Sequence, residues 1–274
     1  MDLEKQFIAT VSGGSKYIGD DGAVIGSYVY SNDAFVEGTH FKRTWMSLRQ
    51  IAYKAMAANI SDAVAMNAAP RYALLAIGIP SAYSAEEVDE LAKGFVEAAE
   101  EFGCELIGGD TVKSDKLYIS LTIISETKKP LTRRGMRAGD LLAYTGSVGK
   151  AQKELRYLLS GKRAHRLSPY VRPVLRRAFI AEAAAYLNAG MDISDGIYTD
   201  LQRLSDLNRL GFIFTRPIGK AVGCSGEEFE MLIAFSPRVR KRIEYLARKH
   251  RVKLTIFARA ARTRYRNPCK SHHF

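Results

Sequence analysis

Met191-Asp192-Ile193-Ser194-Asp195-Gly196 is the stretch around which the rest of the chain can be read. Ala189-Gly190 precedes it and helical spacing follows from Tyr198 to Leu207, so we predict a strand, a turn and a helix N-terminus. Neighbouring carboxylates repel each other unless a cation lies between them, and a hard divalent ion such as Mg²⁺ accepts oxygen ligands. The alternative interpretation is an Asp N-cap beside a solvated turn.

Further acids follow the same pattern, because each lies beside Gly, Ser, Asn or Thr at a predicted strand end: Asp20-Asp21, Asp33 and Asp110. A helix predicted after Ser47 places Asn59 and Asp62 on one face, where a satisfied buried hydrogen-bond pair is the alternative. Glycine lets backbone N–H groups approach a phosphate, and the short Asp side chain holds a metal near the backbone. Such pieces are typical of enzymes that bind a polyphosphate through several Mg²⁺ ions.

The size and composition of the chain indicate a globular protein of one large or two ordinary domains. It has 274 residues, of which 47% are hydrophobic. The charged, glycine-punctuated segment 132–140 has no periodicity, and there we divide the chain into domains 1–136 and 137–274. Three widely spaced cysteines favour a reducing compartment and argue against a disulfide scaffold. Without a signal core or a membrane-spanning run, we expect a cytoplasmic protein with no membrane partner.

The formal net charge of +12 allows nucleic acid or phosphorylated small molecules as partners. Much of the charge falls between Arg238 and Arg251, where Val239, Ile243 and Leu246 have the spacing of a buried helix face. We therefore interpret the basic residues as the solvated face of a helix, with a polyanion site as the alternative.

Six motifs, in order along nearly the whole chain, resemble those of the thiamine-monophosphate kinase family, within the ATP-dependent aminoimidazole-ribotide-synthetase superfamily. They are Gly19-Asp20-Asp21-Gly22-Ala23-Val24, Ser31-Asn32-Asp33 with Val36 to Phe41, Asn59-Ile60-Ser61-Asp62, Gly108-Gly109-Asp110-Thr111, Met191 to Gly196, and Gly226-Glu227-Glu228-Phe229-Glu230-Met231. The resemblance implies an N-terminal α+β domain that dimerises through its sheet and a C-terminal α/β domain that completes the active site. It also implies an ATP site across a homodimer, with several Mg²⁺ ions, and phosphorylation of thiamine monophosphate to thiamine diphosphate.

The same resemblance implies roles for individual residues. Metal ligands would be Asp20, Ser31, Asp33, Asp62, Asp110, Asp192 and Asp195, of which Asp110, Asp192 and Asp195 would be catalytic. The nucleotide would contact Gly109, Asp110, Arg133 and Ser194. His40 and Glu227 would face thiamine phosphate, although a structural loop histidine is the alternative for His40.

The chain departs from the family pattern at several positions: Asn32 for Thr, Glu228 for Asp, Phe229 for Tyr, and Ser271 where an aromatic residue is common. Two other functions stay open at this point. One is another ATP-dependent activity of the superfamily, such as that of aminoimidazole-ribotide synthetase. The other is a non-catalytic relative that binds a polyanion, although the many acids make nucleic acid an unfavourable partner.

Overall fold

The computed structural model describes residues 3–270, so the difference expected at Ser271 lies outside the described residues. Within residues 3–270, no helix has both the length and the apolar character needed to cross a membrane. The elements form two five-stranded sheets with helices, which confirms the predicted class of two domains of mixed helices and sheets.

The first sheet has the strand order β1-β2-β5-β3-β4. Its strands are β1 (Ala23–Ile25), β2 (Tyr28–Val36), β3 (Ala69–Pro80), β4 (Glu105–Ser114) and β5 (Tyr118–Glu126). All neighbouring strands are antiparallel except β3 and β4, which the helix α3 connects in parallel. Helices α2 (Leu48–Ala65) and α3 (Ala85–Phe102) lie on one face, and α1 (Leu3–Ser12) precedes the sheet.

Helix α2 is buried along almost its whole length because its many alanines allow close packing on every side. It begins with a capping box, in which Ser47 and Gln50 bond each other's backbone N–H. On α3, Gly94 lets the two helices approach, since a Cβ there would lie 2.3 Å from the Arg49 carbonyl oxygen. Helix α2 also contacts β7 and α5 of the second half, so it lies between the two sheets.

The second sheet is antiparallel, with the order β7-β9-β6-β10-β8. Its strands are β6 (Leu141–Thr145), β7 (Ala189–Asp192), β8 (Gly211–Phe214), β9 (Met231–Phe235) and β10 (Leu254–Ala261). Its helices are α4 (Lys150–Leu159), α5 (Arg177–Ala183), α6 (Ile197–Asn208), α7 (Lys220–Gly223) and α8 (Arg240–Lys249). The predicted boundary at 136/137 falls in the connection between β5 and β6 and stays a prediction.

Two local predictions have clear outcomes. Ile243 and Leu246 are buried on α8, which confirms that the basic residues around them form the outer face of a helix. The spacing of the cysteines argued against a disulfide scaffold, yet Cys224 and Cys269 form one disulfide, with their Cα atoms 5.7 Å apart. Sequence spacing could not reveal this pair, since the approach of the last described residues to the loop after α7 depends on tertiary packing.

Candidate active site

The candidate site lies where helix α2 meets the edge strand β7 of the second sheet. Strand β7 carries Asp192 at its end, and α2 carries Ser61 and Asp62 in its C-terminal half. The Ser61 hydroxyl donates to Asp192 Oδ2 at 2.6 Å. This hydrogen bond joins the two halves of the chain inside the site.

Three carboxylates form what we call the acid cluster: Asp21, Asp62 and Asp192. One oxygen from each lies within 4.8 Å of the others. Asp21 and Asp192 are buried, and Asp62 is half-buried. Ionised carboxylates at this spacing repel each other strongly outside water, so the protein alone does not neutralise the site.

The pKa values in the acid cluster reflect this crowding. Burial, and then the charge of Asp21, raise the pKa of Asp192 to about 7. Burial also raises the pKa of Asp62 well above its ordinary value, with further contributions from Asp33 and Asp192. For Asp21 burial raises the pKa, and the Arg133 guanidinium opposes that rise. The fully ionised cluster is therefore unfavourable without added positive charge.

The buried oxygens of the cluster also have unused hydrogen-bonding capacity. Among residues 3–270, no partner is found for Asp21 Oδ2, Asp192 Oδ1 or the hydroxyl oxygen of Ser31. Buried polar atoms normally have a partner, and an absent ion is one explanation when they do not. An oxygen-only set of this kind fits Mg²⁺, which prefers carboxylates together with water and phosphate oxygens.

Arg133 is the main cation beside the acid cluster. Its guanidinium forms a buried ion pair with Asp21 through Nε, at 3.1 Å from Oδ1, and through Nη2. Its backbone N–H donates to Asp20 Oδ1 at 2.7 Å. Asp20 is thus at the rim, where burial raises its pKa to about 6, while its neighbour Asp21 points into the cluster. The predicted metal role of Asp20 stays a prediction, and the structure adds Asp21 to the candidates.

Strand β2 brings Ser31 and Asp33 to the same side of the first sheet, facing α2. The backbone N–H of Asp33 donates to Asn59 Oδ1 at 2.9 Å, and Asn59 in turn donates to the Ala55 carbonyl. Burial, and then the charges of Asp21 and Asp195, raise the pKa of Asp33. Asp33 therefore adjoins the acid cluster, and Asn59 acts as a satisfied buried group that fixes the strand.

Asp195 does not cap the helix that follows it, so the interpretation as an N-cap is wrong. The N-cap of α6 is Gly196, with φ of 97°, so the N-cap position itself offers no side chain to the first turn. A Cβ at Gly196 would lie 2.9 Å from the Cys224 carbonyl carbon, so both conformation and space require glycine there. Asp195 pairs with Arg203, which also donates to the buried Asp200 at 2.7 Å.

Asp110 and Gly109 are not brought to the acid cluster. Asp110 is exposed on the edge strand β4, and its Oδ1 accepts a hydrogen bond from the backbone N–H of Thr111. Asp33 on β2 is separated from it by β5 and β3, which is about 14 Å at ordinary strand spacing. Glycine is required at position 109 for packing, because a Cβ there would lie 1.8 Å from the Leu75 carbonyl oxygen.

His40 and Glu227 border a second group of residues, which we call the lysine cluster: Lys54, Glu227, Tyr170 and Phe35. Lys54 Nζ lies 3.1 Å from Glu227 Oε2. His40 stacks on Phe35 at 5.4 Å between ring centroids, and its Nδ1 accepts a hydrogen bond from the Val36 N–H at 3.0 Å. The backbone N–H of Glu227 donates to the Ser194 carbonyl at 2.7 Å, so the lysine cluster adjoins the 191–196 stretch.

Sequence reasoning missed Asp21 as a cluster member, and it missed Lys54 altogether. Asp21 stands beside Asp20 in the same glycine-flanked pair, and the sequence alone does not say which carboxylate points inward. Lys54 is buried on α2, but a charged residue in a helix is ordinarily expected to be exposed. No local signal in the sequence marks it as buried. Glu228 lies at the start of α4, where its Oε1 accepts hydrogen bonds from the N–H groups of Gly149 and Ala151.

Comparison with known proteins gives concordant results. Residues 19–127 match the family described as "AIR synthase related protein, N-terminal domain". A protein of Rhodopirellula baltica named thiamine-monophosphate kinase is 30% identical over 86% of this chain and 83% of its own length. One of Aquifex aeolicus with the same name is 31% identical over 70% of this chain, which spans 65% of that relative. The solved structure "AaThiL complexed with AMPPCP and TMP" superposes with a TM-score of 0.84 at 25% identity, covering 96% of this chain and 91% of that one.

Proposed function

The chain belongs to the thiamine-monophosphate kinase family, and we propose that it transfers the γ-phosphoryl group of ATP to thiamine monophosphate, which yields thiamine diphosphate. The observation that best supports this is the acid cluster, where Asp21, Asp62 and Asp192 meet from three distant parts of the chain. Such a site suits a polyphosphate that arrives with its own divalent ions.

The reaction makes specific demands on the side chains. The acceptor is a phosphate oxygen that is already anionic near neutral pH, so no strong general base is needed. The obstacle is the repulsion between two anionic groups that must be held in line. Positive charge and rigid positioning are therefore what this site has to supply.

The residues divide between these tasks. Asp21, Asp62 and Asp192 would hold Mg²⁺, with Ser31, Asp33 and Asp195 at the edge of the same site. When bound, the ions would offset the charge of the phosphates and orient them. Arg133 would contact the phosphates with N–H groups that Asp21 does not use, since a guanidinium has five. His40 and Glu227 would face the acceptor, on the lysine-cluster side.

The proposed activity can be tested by measuring ADP release with and without thiamine monophosphate, at several Mg²⁺ concentrations, with product analysis in parallel. We expect ADP and thiamine diphosphate in equal amounts, and no product when Mg²⁺ is chelated. ADP formation that ignores thiamine monophosphate, or the absence of thiamine diphosphate, would contradict the proposal. Salt-sensitive binding of nucleic acid without ADP formation would favour the polyanion-binding alternative instead.

We further propose that the protein acts as a homodimer through its first sheet. The face of this sheet opposite α2 and α3 exposes large apolar side chains: Tyr30, Tyr72, Leu74, Val112 and Tyr118. Within the described residues, β4 is an edge strand, and β1 covers only Tyr28 to Tyr30 of β2. Open edges and an apolar face favour association with a second copy.

A dimer would also explain the position of Asp110. In one subunit it lies on the outer face of the sheet, strands away from Asp33. Pairing β4 of one subunit beside β2 of its partner would bring the two residues close together. The proposed role of Asp110 in metal and nucleotide binding therefore depends on a site shared between subunits.

Subunit complementation tests the shared site directly. Asp110→Ala and Asp192→Ala should each be inactive as homodimers. A heterodimer of the two, isolated through different affinity tags, should regain one intact site and about half the wild-type turnover. A heterodimer as inactive as its parents would contradict a shared site, and a monomeric active wild type would contradict the dimer itself.

The predicted cytoplasmic location stays a prediction. The bond between Cys224 and Cys269 is of a kind more common in oxidising compartments or in intracellular proteins of hyperthermophiles.

A further inference from the structure

Lys54 is a fully buried lysine at the centre of helix α2, with a side chain that is 0% exposed. Its Nζ lies 3.1 Å from Glu227 Oε2 and 3.1 Å from the centroid of the Tyr170 ring, while the Phe35 ring lies at 5.9 Å. An ammonium over an aromatic face and beside a carboxylate is attracted by both. Lys54 belongs to the first half of the chain, and its two nearest partners belong to the second.

A buried lysine at this point is unfavourable for stability by itself. Burial lowers the pKa of Lys54, and the charges of Glu227 and Glu154 oppose that change. An apolar residue of similar volume would fill the same space without the loss of hydration. The charge is therefore better explained by what it does to Glu227 than by packing.

Glu227 is the accessible member of the pair, with 32% of its side chain exposed. Its backbone has φ of 56°, a left-handed conformation that is unfavourable for most non-glycine residues. The hydrogen bond from its N–H to the Ser194 carbonyl holds this backbone in place. The buried Lys54 ammonium contacts the Glu227 carboxylate from the protein interior. Burial and the adjacent Glu227 carboxylate raise the pKa of the Tyr170 hydroxyl.

Helix α2 fixes the distance between this carboxylate and the acid cluster. Lys54 and Ser61 are seven positions apart, so they lie on one face and about 10 Å apart along the axis. Lys54 contacts Glu227, and Ser61 donates to Asp192. One rigid helix thus sets the spacing between the group that would face the acceptor and the group that would hold the phosphoryl donor.

We propose that Lys54 is a positioning residue for the acceptor: it holds the Glu227 carboxylate in one orientation, at a fixed distance from Asp192. This inference rests on the proposed function, because it assigns Glu227 to the acceptor. The acceptor carries a positively charged ring, which a fixed carboxylate binds better than a mobile one. Lys54 itself, with no exposed surface, touches neither substrate.

The test compares the two substrates in the Lys54→Met variant, which keeps an unbranched side chain one atom shorter and removes the charge. We expect the KM for thiamine monophosphate to rise by about tenfold or more, while the KM for ATP changes less than about twofold. The matched control is Lys93→Met, since Lys93 is an exposed lysine of α3 with carboxylate partners of its own. It should leave both KM values unchanged.

A double-mutant cycle separates positioning from a general structural effect. If Lys54 acts through Glu227, adding Lys54→Met to Glu227→Gln should raise the KM for thiamine monophosphate little further. Lys54→Gln is the second variant, in case Lys54→Met does not fold, because it keeps a hydrogen-bond donor on the side chain and removes the charge. It should raise the same KM by a few fold and should also be non-additive with Glu227→Gln.

Each outcome has a definite consequence. Equal changes in both KM values, or additive effects of Lys54→Met and Glu227→Gln, would overturn the positioning role. If Lys54→Met does not fold, an unchanged KM for thiamine monophosphate in Lys54→Gln would overturn it. A wild-type protein that makes no thiamine diphosphate would refute the proposed function, and this inference with it. An active wild type with an unaltered Lys54→Met variant would refute the inference alone.

Discussion

The acid cluster and the lysine cluster share one helix and the same boundary between the two halves of the chain, yet they differ in how charge is balanced. In the lysine cluster the buried ammonium has a carboxylate and an aromatic ring as partners. In the acid cluster buried carboxylates face each other, and Arg133 pairs with only Asp21 among them. The first is complete within the described chain, whereas the second requires additional positive charge.

This difference explains why the two clusters should respond differently to mutation. In the lysine cluster, removal of Lys54 leaves the partly exposed Glu227 carboxylate without the partner that orients it. A cluster of like charges gains stability when one charge is removed, at the expense of whatever cation it binds. Function and stability should therefore change in opposite directions in the acid cluster, whereas in the lysine cluster the main expected change is a loss of function.

The largest expected effect is on turnover in Asp192→Asn. The substitution keeps the shape and removes one negative charge, so we expect kcat to fall by two to three orders of magnitude, the scale seen when one group that stabilises transition-state charge is lost. The same variant should unfold at a higher denaturant concentration than the wild type when Mg²⁺ is absent. Steady-state kinetics and denaturant titration in chelator measure the two quantities.

Asp115→Asn is the matched control for that variant, because Asp115 is exposed in the turn between β4 and β5. It should change neither turnover nor stability by a measurable amount. If Asp192→Asn is inactive and also less stable than the wild type without Mg²⁺, the contrast between the two clusters is contradicted. The carboxylates of the acid cluster would then stabilise the protein without a bound cation.

The next effect is the pH dependence of stability without metal. The pKa of Asp192 is raised from 3.8 to about 7 on folding, so the native state holds its proton longer than the unfolded state as pH increases. The unfolding free energy should therefore fall between about pH 4 and pH 7, by a few kcal/mol for this group, and stay low above that range. The contribution of Asp192 is the difference between the unfolding free energies of the wild type and of Asp192→Asn, measured in chelator across this pH range.

Mg²⁺ should reverse this loss, because a bound cation favours the ionised carboxylates. At pH 7.5 we expect Mg²⁺ to raise the Tm of the wild type and of Lys54→Met, but much less that of Asp192→Asn. An equal rise in all three proteins would mean that the stabilising ion binds elsewhere.

The sequence allowed the elements of the fold to be predicted well where periodicity and caps are strong. The helix that begins after Ser47 and the strand, turn and helix around Asp192 are examples. The grouping of acids at strand ends pointed to one site, because glycine-rich corners of different strands can meet at one boundary. Helix α1 was not predicted, and its exposed apolar residues show that local pattern alone does not report its packing.

Three features could not be predicted, each for a tertiary reason. The inward direction of Asp21 depends on the ion pair with Arg133, which is distant in sequence. The burial of Lys54 depends on Tyr170 and Glu227, which arrive from the second half. The position of Asp110 on the outer face of the sheet follows from strand order, which a single strand does not encode.

Glu228 gives the smallest expected effect and tests where the acid cluster ends. It follows Glu227 directly, but its carboxylate accepts hydrogen bonds from Gly149, Ala151 and Ser225, so it stabilises the start of α4. Glu228→Gln keeps an acceptor oxygen and removes the charge that favours a helix N-terminus, so we expect a loss of about 1 kcal/mol in the free energy of unfolding. The Mg²⁺ concentration for half-maximal activity should not change. A shift of that concentration to higher values would make Glu228 a metal ligand, and the acid cluster would then reach the loop that carries the lysine cluster's carboxylate.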